Sequence, residues 1–494
     1  MGSASGNAIE GLIAGDFVHQ KSGVHFRVFK RDQRVWMSYE RRSEPGFAGE
    51  RELSYFVGSG RKGRSYLFSE QGFWFESPIN WYSQEQQWNL APTYTEATEI
   101  PMNLPAVLDC LNCHASGVQP PVAGTENKFS AQPFTHSGIS CERCHGDSEA
   151  HLHGNGSILN PAKLPPERRD SICMECHFEG TVAIKQPERQ LYQFEPGDRL
   201  SDYIHYLVLK GREPDGPEAL SQVEAFSLSA CKRKSGDGMS CLTCHNPHEE
   251  PAVSERAAYY RSKCLACHGE GFAAKHHPGE PDCTRCHMPS LQSADVAHTQ
   301  STDHRILRRP QTVELLQGES SIRLLPFPEN EASLTTSRDF ALGWENLAER
   351  GVEGASHEAE HYLRQALKDR PSDPALLSAL GFVEQEHGRE NEARELYERA
   401  LKIDPLSNDA ATNLGVLEAR SGHPRQAIDL WKAAFDRVPH RSAVGMNLAT
   451  VLCSLGQTGE ARGYILRVLR FNPDLTPAKR ALHELTPANS GCRT

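Results

Sequence analysis

HSGISCERCHGDSEAH, residues 136–151, contains the pattern that decides how this chain is read: Cys141, two intervening residues, Cys144, and His145 directly after. The same CxxCH unit occurs six times, starting at Cys110, Cys141, Cys173, Cys241, Cys264 and Cys283. Random placement of the 15 Cys and 23 His of this 494-residue chain would yield about 0.02 such units, so the repetition is not compositional. Twelve of the 15 cysteines lie in these units, leaving Cys231, Cys453 and Cys492.

CxxCH is the attachment site of c-type haem: two thiols bond covalently to the porphyrin, and the adjacent imidazole becomes an axial ligand of the same iron. The contiguity is mechanical, because two thioethers pin the ring against one short turn that aims the histidine at the iron. Six haems are therefore expected. Their thiols are Cys110 and Cys113, Cys141 and Cys144, Cys173 and Cys176, Cys241 and Cys244, Cys264 and Cys267, and Cys283 and Cys286. Their proximal ligands are His114, His145, His177, His245, His268 and His287. A thioredoxin-like CxxC occurs once, beside a βαβ pattern, and none is visible here. Zinc sites take Cys and His in tetrahedral sets but do not require a His after every second Cys.

All six units fall within residues 110–287, a span of 178 residues. About 30 residues per haem cannot build an aliphatic core of ordinary size, so the porphyrins are expected to supply the buried apolar material, wrapped by short helices and loops with little regular structure. Six-coordinate irons need six further ligands, His or Met. Nine other histidines lie in this region and its flanks, against two methionines within the span, which favours bis-His coordination. His136, His151, His248, His277, His298 and His304 are the leading distal candidates, with His276, His205 and His153 behind them. One member of the His276–His277 pair is spare on this count. His19, and with it His25, is a remoter option.

Residues 16–90 read differently. GVHFRVFKRDQRVWMSYERR alternates apolar and polar residues around a turn at Asp32 and Gln33, and Gly58, Gly60, Gly63 and Gly72 punctuate the continuation of the pattern. This predicts a small antiparallel sheet, with Trp36, Trp74, Trp81 and Trp88 as packing residues. After Arg309 a 34-residue period begins. Aligning Pro405, Pro439 and Pro473 brings Leu380, Leu414 and Leu448 together, then Ala393, Ala427 and Ala461, then Tyr397, Trp431 and Ile465. The pattern is that of tetratricopeptide helix–turn–helix units, with an irregular unit before Pro371 and a capping helix at 477–485. The fold expected is mainly α, in four parts: a β-rich region at 1–100, a hexahaem domain at 101–310, a linker at 311–339 and a repeat solenoid at 340–494. Cys453, inside the last unit, is read as a small buried apolar residue.

HSGISCERCHGDSEAH, CLTCHNPHE and CTRCHMP followed by DHRI, together with the repeats, resemble the bacterial multihaem cytochromes c that carry tetratricopeptide repeats. The resemblance implies bis-His haems, export across the cytoplasmic membrane and redox work. CHGDS stands where the commoner pattern has CHGPG, a departure that affects the local turn.

A net charge of −11 argues against nucleic acid as a partner. No apolar run reaches the ~18 residues of a membrane span. Covalent haem attachment points to the periplasm or the exterior. The opening MGSASGNAIEGLIAG carries no basic and apolar leader, so an export signal is expected to lie outside this sequence. Two functions are compatible with these residues. One is an electron relay without a catalytic site, whose repeats dock a redox partner or organise an assembly, or, as a separate variant, a subunit of an extracellular conductive filament whose haems abut between copies. The other is an oxidoreductase acting on a nitrogen or sulfur compound at one open haem, which nothing marks, since every attachment unit ends in His.

Overall fold

The computed structural model describes residues 5–60, 62–178, 180–210, 221–276, 278–292, 300–308, 322–328 and 334–485. Contacts divide the chain into two compact units. One comprises Ser5–Leu111, Gly117–Thr135 and the chain from Thr335 onward; the other comprises Asn112–Ser116 and His136–Leu334.

In the first unit the expected sheet is present and larger than its sequence pattern suggested. Eight antiparallel strands, β1 (Ser5–Asn7), β2 (Gly15–His19), β3 (Val24–Arg31), β4 (Arg34–Arg41), β5 (Ala48–Val57), β6 (Gly63–Glu70), β7 (Phe73–Tyr82) and β8 (Gln87–Leu90), form a meander from β2 to β8, with β1 paired to β5. The β3–β4 hairpin turns on Asp32 and Gln33, both at positive φ, the geometry that matches the right-handed strand twist. Alternation then buries Val24, Phe26 and Val28 on β3 and Val35, Met37 and Tyr39 on β4. Trp81 and Trp88 join this core. Trp36 stays partly exposed beneath the Arg31 guanidinium, 4.2 Å from its ring.

The repeats pair the helices Ser337–Glu349 with Ala355–Asp369, Pro374–Glu386 with Glu390–Ile403, Asn408–Arg420 with Pro424–Arg437, and Ser442–Ser454 with Thr458–Phe471. A final helix, Thr476–Glu484, closes the array. The aligned leucines (Leu380, Leu414, Leu448), the aligned alanines and the Tyr397, Trp431 and Ile465 set are all buried. Small residues sit where helices meet: a Cβ at Gly415 would lie 2.5 Å from the Trp431 ring nitrogen, and one at Gly381 2.6 Å from the Tyr397 ring. Cys453 is disulfide-bonded, not the free apolar thiol expected, and it is only partly buried.

Sheet and repeats, read separately from the sequence, share a core. Phe471 closes the last repeat helix yet packs edge-on to Phe73 at 5.9 Å and against Phe75 at 5.8 Å. Asp474, fully buried, accepts two bonds from Arg41 at 2.8 and 2.6 Å, one from the Ile100 amide at 2.8 Å and one from Lys479 at 3.0 Å. Segment 117–135 also lies on the repeats. The Gly124 carbonyl accepts from Asn408 at 2.9 Å, and Glu126 pairs with Arg441 at 2.7 Å and His440 at 3.1 Å.

The second unit has short helices and a three-stranded sheet, Val182–Lys185, Ile204–Lys210 and Arg323–Phe327. Its apolar cluster gathers around Ile172, Phe178, Phe194, Leu200, Tyr203 and Tyr206. Among the described residues no helix is long and apolar enough to cross a membrane.

Candidate haem-binding site

Each CxxCH unit lies on or opens a helical turn: Leu108–His114, Glu142–His145, Pro166–His177, Cys241–Cys244, Arg256–His268 and Cys283–His287. One helical turn places both thiols and the adjoining imidazole on neighbouring faces.

The attachment units form one contiguous set. Cys113 Sγ lies 3.7 Å from the Glu175 carbonyl, and Cys176 Sγ 4.0 Å from that of Asn112, joining the first and third. Arg143 of the second donates to Glu175 at 2.6 Å and to the Asn112 carbonyl at 2.8 Å. Burial outweighs this guanidinium and pushes the Glu175 carboxyl up to about 7. Cys173 hydrogen-bonds Cys241, which together with burial raises its pKa and links the third unit to the fourth. Cys264 contacts Cys283, linking the fifth to the sixth, and burial lifts its thiol to about 11.

Among the described residues, three histidine pairs face one another across this set. His145 and His248, 103 residues apart, have near-parallel rings at 5.8 Å and 16°, with their Nε2 atoms 3.5 Å apart. His245 faces His304 at 6.2 Å and 27°, and His276 faces His287 at 5.9 Å and 26°. In three of these rings Nδ1 meets a backbone carbonyl: His145 Nδ1 that of Leu159 at 2.7 Å, His287 Nδ1 that of Leu307 at 2.6 Å, and His304 Nδ1 that of Thr302 at 2.6 Å. A carbonyl can only accept, so Nδ1 is the donor in each of these three bonds. His145 Nε2 is thereby left facing the Nε2 of His248. With their Nε2 atoms 3.5 Å apart, His145 and His248 could both serve one bound iron. Desolvation, with His304 and His177 nearby, holds His245 below its ordinary value, in the neutral form that ligates.

The residues also leave room for a large apolar group. The helices Arg256–His268 and Glu270–His276 bury no residue of their own. A cleft of about 690 Å³ beside them is lined by Ala258, Leu265, Ala273 and Pro281 and also by Arg261, Ser262, Glu270 and Glu280, so its wall is mixed apolar and polar. The donor set and this cradle fit c-type haem.

Of the remaining candidates, His136 and His151 are exposed near the second attachment unit, and His153 ends the helix Glu149–Leu152. His205 stands opposite Ile184 in the three-stranded sheet. His19 has both ring nitrogens engaged, by Ser22 at 2.9 Å and the Thr95 carbonyl at 3.1 Å. His25 bonds Asp16 at 2.9 Å. His277 and His298 lie outside the described residues. His276, placed behind His277 by sequence, is the one facing His287. Sequence reading missed Tyr260, whose hydroxyl is 3.4 Å from His245 Nδ1; a tyrosine fifteen residues from its partner carries no local signal.

Residues 80–146 match the family described as cytochrome c554 and c-prime, and residues 353–408 and 412–476 match the tetratricopeptide repeat. The chain thus joins a segment similar to multihaem cytochromes c to tetratricopeptide repeats. Among curated relatives it is 23% identical over 181 residues to the multiheme cytochrome MtrA of Shewanella baltica, covering 33% of this chain and 52% of that protein. It is 25% identical over 193 residues to the dissimilatory sulfite reductase MccA of Wolinella succinogenes, covering 32% and 23%. The chain thus spans about half the length of the first and a quarter of the second. Among solved structures, the crystal structure of MamA protein aligns with a TM-score of 0.27 at 19% identity, over 30% of this chain and 81% of MamA.

Proposed function

We propose that this protein is a periplasmic or extracellular c-type cytochrome that relays electrons through six haems without a substrate site of its own. The observation that carries the reading is the facing of histidines across distant segments, with His145 Nε2 and His248 Nε2 3.5 Å apart. Haem iron, when bound, supplies reversible one-electron chemistry. The chain's residues do the rest. The paired cysteines would fix each ring, and His248, His304 and His276 would supply a second ligand to the haems held at Cys141, Cys241 and Cys283. Carbonyls of Leu159 and Leu307 orient two proximal imidazoles. Contacts between successive attachment units keep the ring sites adjacent, as a relay requires. The repeats hold segment 117–135 of their own chain and dock a redox partner on the surface that remains. The disulfide at Cys453 is in keeping with an oxidising compartment.

The test combines denaturing mass spectrometry with low-temperature paramagnetic resonance of the oxidised protein. Six haem masses with only low-spin signals is the expected result. A high-spin iron, with catalytic reoxidation of the reduced protein by sulfite or nitrite, would replace the relay by the oxidoreductase reading, as would be expected of a protein acting like its sulfite-reductase relative.

A further inference from the structure

The proximal imidazoles are not held alike. His145 and His287 present Nδ1 to backbone carbonyls at 2.7 and 2.6 Å. His245 instead presents Nδ1 to the Tyr260 hydroxyl at 3.4 Å. The Tyr260 ring also stands edge-on to the imidazole, with centroids 5.7 Å apart at 67°. Tyr260 lies on the helix Arg256–His268, so the helix that carries the fifth attachment unit reaches back to the ligand of the fourth.

We infer that Tyr260 is a positioning residue that sets the reduction potential of the haem attached at Cys241 and Cys244, an inference that rests on His245 being an axial ligand of that haem. An imidazole bound through Nε2 must carry its proton on Nδ1, so the phenol oxygen accepts. A hydrogen bond at Nδ1 makes the ligand more basic and favours the oxidised iron. A neutral phenol at 3.4 Å is a weaker acceptor than a carbonyl at 2.7 Å, so His245 is the least basic of the three compared ligands. Its haem accordingly sits at a higher potential than those of His145 and His287. Two acceptors of different strength thereby stagger the steps of one relay.

The experiment is a spectroelectrochemical titration of the full-length, six-haem protein and two variants, with haem content checked by mass. Tyr260→Phe keeps the ring contact and removes the acceptor. One component of six should move upward by as much as tenfold in its oxidised-to-reduced ratio, which is about 59 mV for one electron. Tyr260→Gln offers an amide carbonyl and should move the same component downward. No displaced component in either variant, or both displaced in the same direction, overturns the inference, as does loss of a haem in both. A wild-type protein with fewer than six haems, or with high-spin iron at the Cys241 site, instead overturns the ligand assignment beneath it.

Discussion

Asp474→Ala should weaken the sheet and the last repeat together. The carboxylate is fully buried and holds Arg41 through both oxygens, the Ile100 amide and Lys479. Removing one partner of a buried, hydrogen-bonded ion pair costs about 3–5 kcal/mol. Arg41 retains Glu44 at 2.7 Å and the Ser22 carbonyl at 2.8 Å, and Lys479 retains Glu44, so neither cation is stranded. The Ile100 amide is left without its acceptor, a further ~1–3 kcal/mol that overlaps the first figure. The net expectation is about 3–4 kcal/mol, a large share of the ~5–15 kcal/mol that stabilises a typical domain. Phe471→Ala, which empties a site 1% exposed between Phe73 and Phe75, should cost a similar ~3–5 kcal/mol. The assay is hydrogen exchange resolved by peptide, in rising urea. Peptides covering β3–β4 and those covering Thr458–Glu484 should lose protection at the same lowered urea concentration. If the repeat peptides open early while β3–β4 keeps wild-type protection, the sheet does not depend on this contact and the two do not share a core.

Three other outcomes are expected. His248→Ala, His304→Ala and His276→Ala should each convert one haem to high spin in the resonance spectrum, whereas an unchanged spectrum for all three refutes the facing pairs as ligands. Burial raises the Glu126 carboxyl, but hydrogen bonds and charge from His440 and Arg441 outweigh it and hold it at about 2. Its contribution to stability is therefore complete above the unfolded value near ~4.3 and lost as pH falls toward 2. Proteolysis within 117–135 should accelerate over that window, and Glu126→Gln should flatten the profile. Burial, with Glu349 and Asp409 nearby, pushes Glu345 up to about 8. The folded state then binds the extra proton, and stability falls as pH rises from about 4.3 to 8. Glu345→Gln should raise the melting temperature at pH 9 and leave it little changed at pH 4.

What could be read from the sequence was what is local or periodic. CxxCH is legible because both thiols and the imidazole must share one helical turn. The repeats are legible because each unit buries the same positions against its neighbours, as Ala393, Ala427 and Ala461 do. The hairpin at Asp32–Gln33 is legible because alternation on either side of a two-residue turn leaves little freedom of register. The facing of the histidines was not, since His145 and His248 meet only after 103 residues have folded, and nothing in either neighbourhood names the other.

Phe471 and Asp474 show why the shared core stayed hidden. In the 34-residue register Phe471 corresponds to Ile403 and Arg437, and Asp474 to Leu406 and His440. Ile403 and Leu406 are 45% and 42% exposed, so the repeat leaves these positions free for local use. In the last unit they are buried, one by an aromatic side chain and one by a carboxylate. An unpaired buried carboxylate is costly enough to be avoided, so an aspartate at this place carries a condition: a cation must arrive from elsewhere in the chain. Arg41 meets it from 433 residues away. At His440, one repeat earlier, the same register position bonds Glu126 of segment 117–135. Two successive inter-repeat corners have thus been turned from periodic spacers into receptors for other parts of the same chain. The array accordingly works as internal scaffold along that edge.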